Sequence, residues 1–404
     1  MVTEKITLNN PERFQKPYSI SREKLVKAAE IACNKLEKMG REHGDRFPMP
    51  IKEEKFRKYQ YGDNYNWIHG MYTGCYWLAY EITGEKIFRD IAESQLHTYR
   101  KRYEEKIGMD DHDVGFVFTP SCIAAYKLTG NEFARKAALD AADYFYKYDY
   151  SHVGRYIIRI HIHPNPERGY RTMMDSLMNA PLLYWAGQET GNADYIKAAS
   201  DHVRKTERYL VRGDGSTYHH FQFVKETGEP VRGLTLQGHS DESCWSRGHS
   251  WGVYGFPIAY THDRSQDYLP QLHKDITYFM LNHLPEDNIP YWDYDFVSGD
   301  EPRDSSAGLI AVCGMNEMCK HLPDTAEQKP IFESAAAQIL DSTIDLCTGD
   351  MGGDVGTDYD GLVYHVTGAV PQGEGEWDAV DVYGDYFYLE SLARYLNPDF
   401  KMYW

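Results

Sequence analysis

The sequence predicts an all-α fold, six helical hairpins closed into an (α/α)6 barrel, with a short β-hairpin and long loops at its mouth. Three observations predict it. First, the segments 76–95, 122–145 and 182–202 each place an apolar run of helical period before a Thr-Gly pair and a second run after it; the pairs are 83–84, 129–130 and 190–191. A glycine just past a helix supplies a left-handed C-cap, and the polar residue after it restarts the chain as an antiparallel partner. Second, the same period predicts twelve helices, near 21–40, 66–82, 85–102, 116–128, 131–147, 176–189, 192–210, 248–261, 266–283, 305–321, 328–347 and 384–396. Third, Trp67, Asp113, Asp175, Arg247 with Trp251, Asp304 and Asp385 all fall at N-terminal ends of even-numbered helices. Those ends meet at one mouth only if alternate helices run parallel in a closed ring; an open solenoid spreads them along an edge.

Between the seventh and eighth helices, 215–223 alternates aromatic residues with period two, which predicts a strand whose hairpin closes near Thr227-Gly228. The Gly- and Asp-rich stretch 348–383 is placed as a roof over the opening, where long loops carry function. No Ser/Gly/Pro linker, low-complexity tract or run of like charge divides the 404 residues, so one catalytic domain spanning 1–404 is expected.

A net charge of −18 argues against a nucleic-acid or anionic-membrane partner. Without an apolar N-terminal h-region or a run of ~18 apolar residues, neither export nor membrane spanning is expected. The seven cysteines are odd in number, scattered and mostly within apolar runs. That reads as reduced buried thiols and a cytoplasmic protein. The 33 tyrosines, 8 tryptophans and 16 phenylalanines supply amphipathic rings that pack a core or face sugars.

The chemistry is expected from two acidic motifs, Asp111-His112-Asp113-Val114-Gly115-Phe116 and Met174-Asp175-Ser176-Leu177-Met178-Asn179, each standing before an inner helix. An acid there ordinarily caps the helix or complements its dipole. Asp113 and Asp175, however, occupy equivalent places in neighbouring hairpins, with His112, Asn179 and Trp67 nearby. Facing each other across a mouth, one carboxylate raises the other's pKa, the arrangement an acid–base enzyme needs. Arg247, beside Trp245 and Trp251, can grip a substrate carboxylate bidentately; the alternative is a structural arginine paired to Asp241 or Glu242. His161 and His163 share a strand face with metal-like spacing but no third ligand, and Asp350 to Gly361, with Asp354, Asp358 and Asp360, lacks EF-hand order. No metal and no cofactor are expected. P-loop, dinucleotide and serine-elbow motifs do not occur.

The same motifs resemble the unsaturated glucuronyl hydrolases, glycoside hydrolase family 88, from about Trp67 to Leu392. The likeness is carried by Trp67-Ile68-His69-Gly70, Tyr80-Glu81-Ile82-Thr83-Gly84, His112 to Phe116, Asp175 to Asn179, Gly215 to His219, Gln237-Gly238, Trp245 to Trp251, Trp292-Asp293, Asp304 to Ala307 and Gly384 to Glu390. The resemblance implies removal of a non-reducing-end 4,5-unsaturated uronic acid from lyase-derived, glycosaminoglycan-type oligosaccharides by hydration of the vinyl ether. The residue matching Asp175 would protonate C4 and activate the water that adds at C5. Asp113 would bind sugar hydroxyls and keep Asp175 partly protonated. His112, His219, Gln237, Arg247, Trp251 and Tyr364 would contact the uronate or water, and Trp67 would stack on a sugar face.

Where the family usually has Arg-Gly-Gln-Ala-Trp this chain has His249 and Ser250, and Met71 stands where an aromatic is common. The stretch Val366 to Pro371 has no lysine or arginine, which predicts little need for a sulfate group. Rival readings are an unsaturated rhamnogalacturonyl hydrolase of the same fold, an ordinary glycosidase, and a non-catalytic saccharide-binding ring.

Overall fold

The computed structural model describes residues 2–50, 57–160, 170–353, 356–370 and 377–404. The twelve expected helices are present: α1 Arg22–His43, α2 His69–Thr83, α3 Lys86–Glu105, α4 beginning at Val114–Phe118, α5 Glu132–Tyr148, α6 Ala180–Thr190, α7 Ala193–Leu210, α8 Ser246–His262, α9 Leu269–Asn282, α10 Ser305–Cys319, α11 Gln328–Leu346 and α12 Val382–Leu396. A one-turn helix, Glu12–Gln15, precedes them. Gly84, Gly130 and Gly191 take φ of 72°, 69° and 73° just past their helices, so each Thr-Gly pair is the C-cap its position predicts. Asn131 and Asn192 then cap the next helix, their side chains accepting from the backbone N–H of Ala134 and Asp194. Within α4 the expected single helix is interrupted. A π-turn at Thr119–Ile123 contains Pro120, which cannot donate to the ladder, before the helix resumes as Ala124–Thr129.

The even-numbered helices form the inner ring. Each packs on the next, α2 on α4, α4 on α6, and onward to α12, which packs back on α2 and closes the circle. Their burial is all-round: every residue of α12 from Val382 to Arg394 is buried, whereas outer α7 buries a stripe through Ala198, Ala199, Val203, Thr206 and Leu210. No helix among the described residues is long and apolar enough to cross a membrane.

The β-structure exceeds the expected hairpin. Two short ribbons, β1 Phe47–Pro48 with β2 Tyr61–Gly62 and β3 Tyr150–Ser151 with β4 Tyr156–Ile157, accompany an antiparallel sheet ordered β5 Arg159–Ile160, β6 Tyr170–Met173, β7 His220–Phe223, β8 Pro230–Leu234. Of the strand expected at 215–223 only its second half is one. Residues 215–219 fold back on the end of α7, with Tyr218 N–H donating to the Leu210 carbonyl at 2.9 Å. In β7–β8, Gly228 has a φ of +70° at the turn expected there.

The pairing of β6 with β7 positions the mouth. Met173 is opposite His220, and the Met174 N–H donates to the His219 carbonyl at 2.9 Å. Strand β6 therefore runs straight into the 3-10 turn Met174–Met178, which carries Asp175, with His219 alongside.

Candidate active site

Asp113 occupies the residue before α4 and Asp175 the turn before α6, and neither side chain caps its helix. The capping half of the ordinary role for an acid at these positions is thus unfilled. The two turns are drawn together by a close backbone approach. A Cβ on Gly115 would lie 2.4 Å from Asn179 Cα and 2.5 Å from its carbonyl oxygen, so only glycine fits. Across the same gap, the Phe116 N–H donates to the Asn179 side-chain oxygen at 2.8 Å.

His112, 1% exposed, sits between the acids. Its Nε2 is 2.9 Å from Asp175 Oδ1 and 3.3 Å from Asp113 Oδ1. One ring nitrogen shared in this way keeps the two carboxylates within about 6 Å, the range over which one charge shifts another's pKa. On the opposite side His112 Nδ1 makes a short hydrogen bond to Asp111. Asp175 Oδ2 faces a second imidazole, His219 Nε2 at 3.5 Å.

Burial opposes a charge on His112, but Asp113, Asp175 and Asp111 outweigh it and hold the ring well above the usual imidazole value. Asp113 is pushed up to about 7 by burial, against the lowering effect of His112, with Asp111 and Asp175 adding to the rise. For Asp175 burial also favours the neutral acid, yet the charge and hydrogen bond of His112, joined by His219, hold it well below the usual carboxylate range. These directions set the proton towards Asp113 and the charge towards Asp175, the opposite lean to the expected one, within a titration that belongs to the pair. His219 itself is lowered, chiefly by burial, with Asp175 opposing. Both acid side chains stay partly open, Asp113 at 18% and Asp175 at 13% exposure.

The other expected residues divide between the mouth and its supports. Trp67 is half-buried at the rim, stacked on Tyr383 at 5.5 Å and tilted on Phe116 at 5.2 Å. Trp251 lies a layer deeper, buried between Phe116 and Phe387. Gln237 is paired with His220, whose Nε2 is 3.2 Å from its side-chain oxygen. His220 neighbours His219, which packs edge-on against Trp245 at 4.7 Å. Tyr364 is buried beneath the guanidinium of Arg57, 4.9 Å from its ring centre.

Arg247 is sandwiched by Trp245 and Tyr383, and its Nη1 donates to Asp304 at 3.0 Å and to the Thr367 carbonyl at 2.6 Å. Its carboxylate partner is thus Asp304, and not Asp241 or Glu242. Asp304, Tyr383 and Arg159, whose Nη2 is 3.7 Å from Asp111, join the site without having been singled out for these contacts. Nothing in the sequence pattern marks Arg159; Asp111 could have been found from its place beside His112.

Among the described residues, Nδ1 of His219, Nδ1 of His220 and Nε1 of Trp245 are buried without a hydrogen-bond partner, and saccharide hydroxyls or a carboxylate would satisfy such groups. Among the described residues the one metal-like grouping is Asp111, His112 and Asp113, inside this acid–base cluster. His161 and His163 lie outside the described residues. In the acidic loop, Asp358 and Asp360 pair with Lys58. Asp354 lies outside the described residues.

The departures noted in the motifs are buried. His249 bridges α8 and α9 through the Ile276 carbonyl at 2.9 Å, its other nitrogen 3.2 Å from Thr217 and 3.6 Å from Cys244. Met71 is fully buried in the core.

The Glycosyl Hydrolase Family 88 profile matches residues 42–286. An unsaturated chondroitin disaccharide hydrolase of Streptococcus pneumoniae is 37% identical over 398 residues, covering 98% of each chain. The crystal structure of an unsaturated glucuronyl hydrolase from Streptococcus agalactiae superposes with a TM-score of 0.92 at 34% identity, covering 100% of this chain and 99% of that one. A mutant of that enzyme complexed with dGlcA-GalNAc6S superposes at 0.86 with 33% identity, over 100% and 99% of the two chains. With its six-hairpin ring, its paired acids at the mouth and these full-length similarities, the chain belongs to glycoside hydrolase family 88.

Proposed function

We propose that the chain, acting as one catalytic unit, removes the non-reducing-end 4,5-unsaturated uronic acid from glycosaminoglycan-type oligosaccharides left by a polysaccharide lyase. The observation that carries this reading is the bridging of two carboxylates by one imidazole nitrogen, at 2.9 and 3.3 Å. A vinyl ether needs a proton at C4 and a deprotonated water at C5, and one group that gives and then takes a proton supplies both. Asp175 is that group. Addition of water yields a hemiketal at C5; the ring opens, the partner sugar leaves, and a 4-deoxy-5-keto uronate remains. Asp113 holds sugar hydroxyls and shares the titration of the pair. His219, Gln237, Arg247 and Tyr364 line the uronate side, with Trp67 against a sugar face and Trp251 as the floor. The seven buried cysteine thiols suit a reducing compartment, and we place the reaction in the cytoplasm.

The test is the ultraviolet absorbance of the conjugated C4=C5 bond. An unsaturated glucuronyl disaccharide loses it on mixing with the protein, while a saturated disaccharide is untouched. Asp175→Asn abolishes the loss with the circular dichroism and melting temperature retained; undiminished turnover in that variant refutes the assignment. A panel with different leaving sugars separates glucuronyl from rhamnogalacturonyl substrates. In the same panel unsulfated disaccharides are turned over no more slowly than 6-sulfated ones, because the Thr367 carbonyl is engaged by Arg247 and the stretch from Val366 carries no cation.

A further inference from the structure

Asp111 makes two hydrogen bonds to a single neighbour. Its Oδ1 accepts from the backbone N–H of His112 at 2.7 Å and from the same residue's ring Nδ1. Its other oxygen lies 3.7 Å from the Arg159 guanidinium. An ionised carboxylate only accepts, so Nδ1 must carry its hydrogen. The variable nitrogen of the ring is then Nε2, the one that meets Asp175 and Asp113.

We propose, building on the function above, that Asp111 is a positioning residue for the hydration step: by holding Nδ1–H it aims Nε2 at both acids and makes His112 the proton store for Asp175. The cycle then balances. With Asp175 ionised and His112 charged, the Nε2 proton passes to Asp175 along their 2.9 Å contact as substrate excludes water. Asp175 delivers it to C4, leaving positive charge shared by C5 and the ring oxygen. Water adds its oxygen to C5 and gives a proton to Asp175, which returns it to His112 Nε2. One water is consumed, its hydroxyl ends at C5, and every protein group is restored.

The charged and titratable groups around His112 fit this role. Asp111, Asp113 and Asp175 favour its cation. Asp149, ahead of β3, is pushed up to about 8 by burial and by Asp111, with His112 opposing. His219 beside Asp175 and His202 on α7 are both lowered, by burial first, and so do not compete for the proton. Arg159 lies 3.7 Å from Asp111 and its charge also acts on Asp113 and His219.

Asp111→Asn keeps the shape and an acceptor oxygen but removes the charge. Expected is a fall of about a hundredfold in kcat with little change in KM. The alkaline limb of the kcat profile should move towards acid by about one pH unit, because the store releases its proton more readily without that charge. Wild-type kcat with an unmoved limb overturns the proposal, as does a loss of kcat with the limb in place, which marks a structural role only. Nitrogen NMR of histidine-labelled protein gives a second readout without substrate: when His112 loses its charge on the alkaline side, the hydrogen it keeps is on Nδ1 in wild type, and that preference is lost in Asp111→Asn. A bare Nδ1 overturns the proposal. A wild-type protein inactive on every unsaturated disaccharide refutes the proposed function instead, and the NMR result still decides the role of Asp111.

Discussion

At the scale of single residues, the number of rings each acid meets orders the site. Among the described residues Asp175 faces two imidazoles, His112 at 2.9 Å and His219 at 3.5 Å, while Asp113 meets one, His112 at 3.3 Å. Two chemically identical side chains in equivalent sequence positions are thereby pushed in opposite directions. Their pairing was legible from the repeat; which of them keeps the proton was not, because His219 reaches Asp175 only through the β6–β7 pairing. A pH profile follows. Asp113, up at about 7, donates to a sugar hydroxyl only while protonated, so kcat/KM falls as pH rises through about 7, with an apparent constant that belongs to the coupled pair and apart from the kcat limb set by His112. In Asp113→Asn that limb disappears from the residual activity. A wild-type profile flat from about pH 5 to about 9 contradicts the assignment. Arg247 and Trp251 show the reverse case: both were singled out for substrate, and burial and Asp304 give each a structural share as well.

The elements explain why the acids meet at all. Helix ends were readable to within a few residues, as with 192–210 against Ala193–Leu210 and 328–347 against Gln328–Leu346, because caps and apolar period are local signals. Strand β5, Arg159–Ile160, falls in the segment read as a strand from the spacing of His161 and His163, but β6 was not readable, being four residues long and paired to segments distant in the chain. The contact between the two acid-bearing elements is Gly115 against Asn179. Gly115→Ala sets a methyl 2.4 Å from the Asn179 Cα, against backbone that cannot rotate aside. We expect a loss of about 1–3 kcal/mol in urea unfolding. Activity should fall further than that loss accounts for, since the shift is transmitted to Asp113 and Asp175; a variant as stable and as active as wild type counts against this account.

The whole molecule is a ring with its chemistry at one end and a buried charge network at the other. Arg394 on α12 donates to Glu390 at 2.9 Å, to Glu317 on α10 at 2.7 Å and to Tyr254 on α8 at 2.7 Å, joining three inner helices. Trp404 closes the floor, its indole donating to Glu390 at 3.1 Å and its ring set under Phe116 and Phe387. Arg394→Leu leaves buried Glu390 without its cation and Glu317 with only Lys320 and His321, and should cost about 3–5 kcal/mol, read by chemical denaturation. Although burial alone would raise Glu317, Arg394 and His321 hold it well below the usual value. A depressed folded pKa means stability is present above the unfolded pKa and lost as pH falls through the folded one, so wild type weakens on the acid side, and Arg394→Leu shows less of that dependence, the part held by His321 and Lys320 remaining. The chain by itself determined the helices, their caps, their number and the placing of Asp113 and Asp175 at helix starts, since these are set by neighbours a few residues away. Only the tertiary structure decided that α12 returns to α2, that Arg247 finds Asp304, and that His112 and His219 together ionise Asp175, because pKa values and ion pairs depend on distances between segments far apart in the chain.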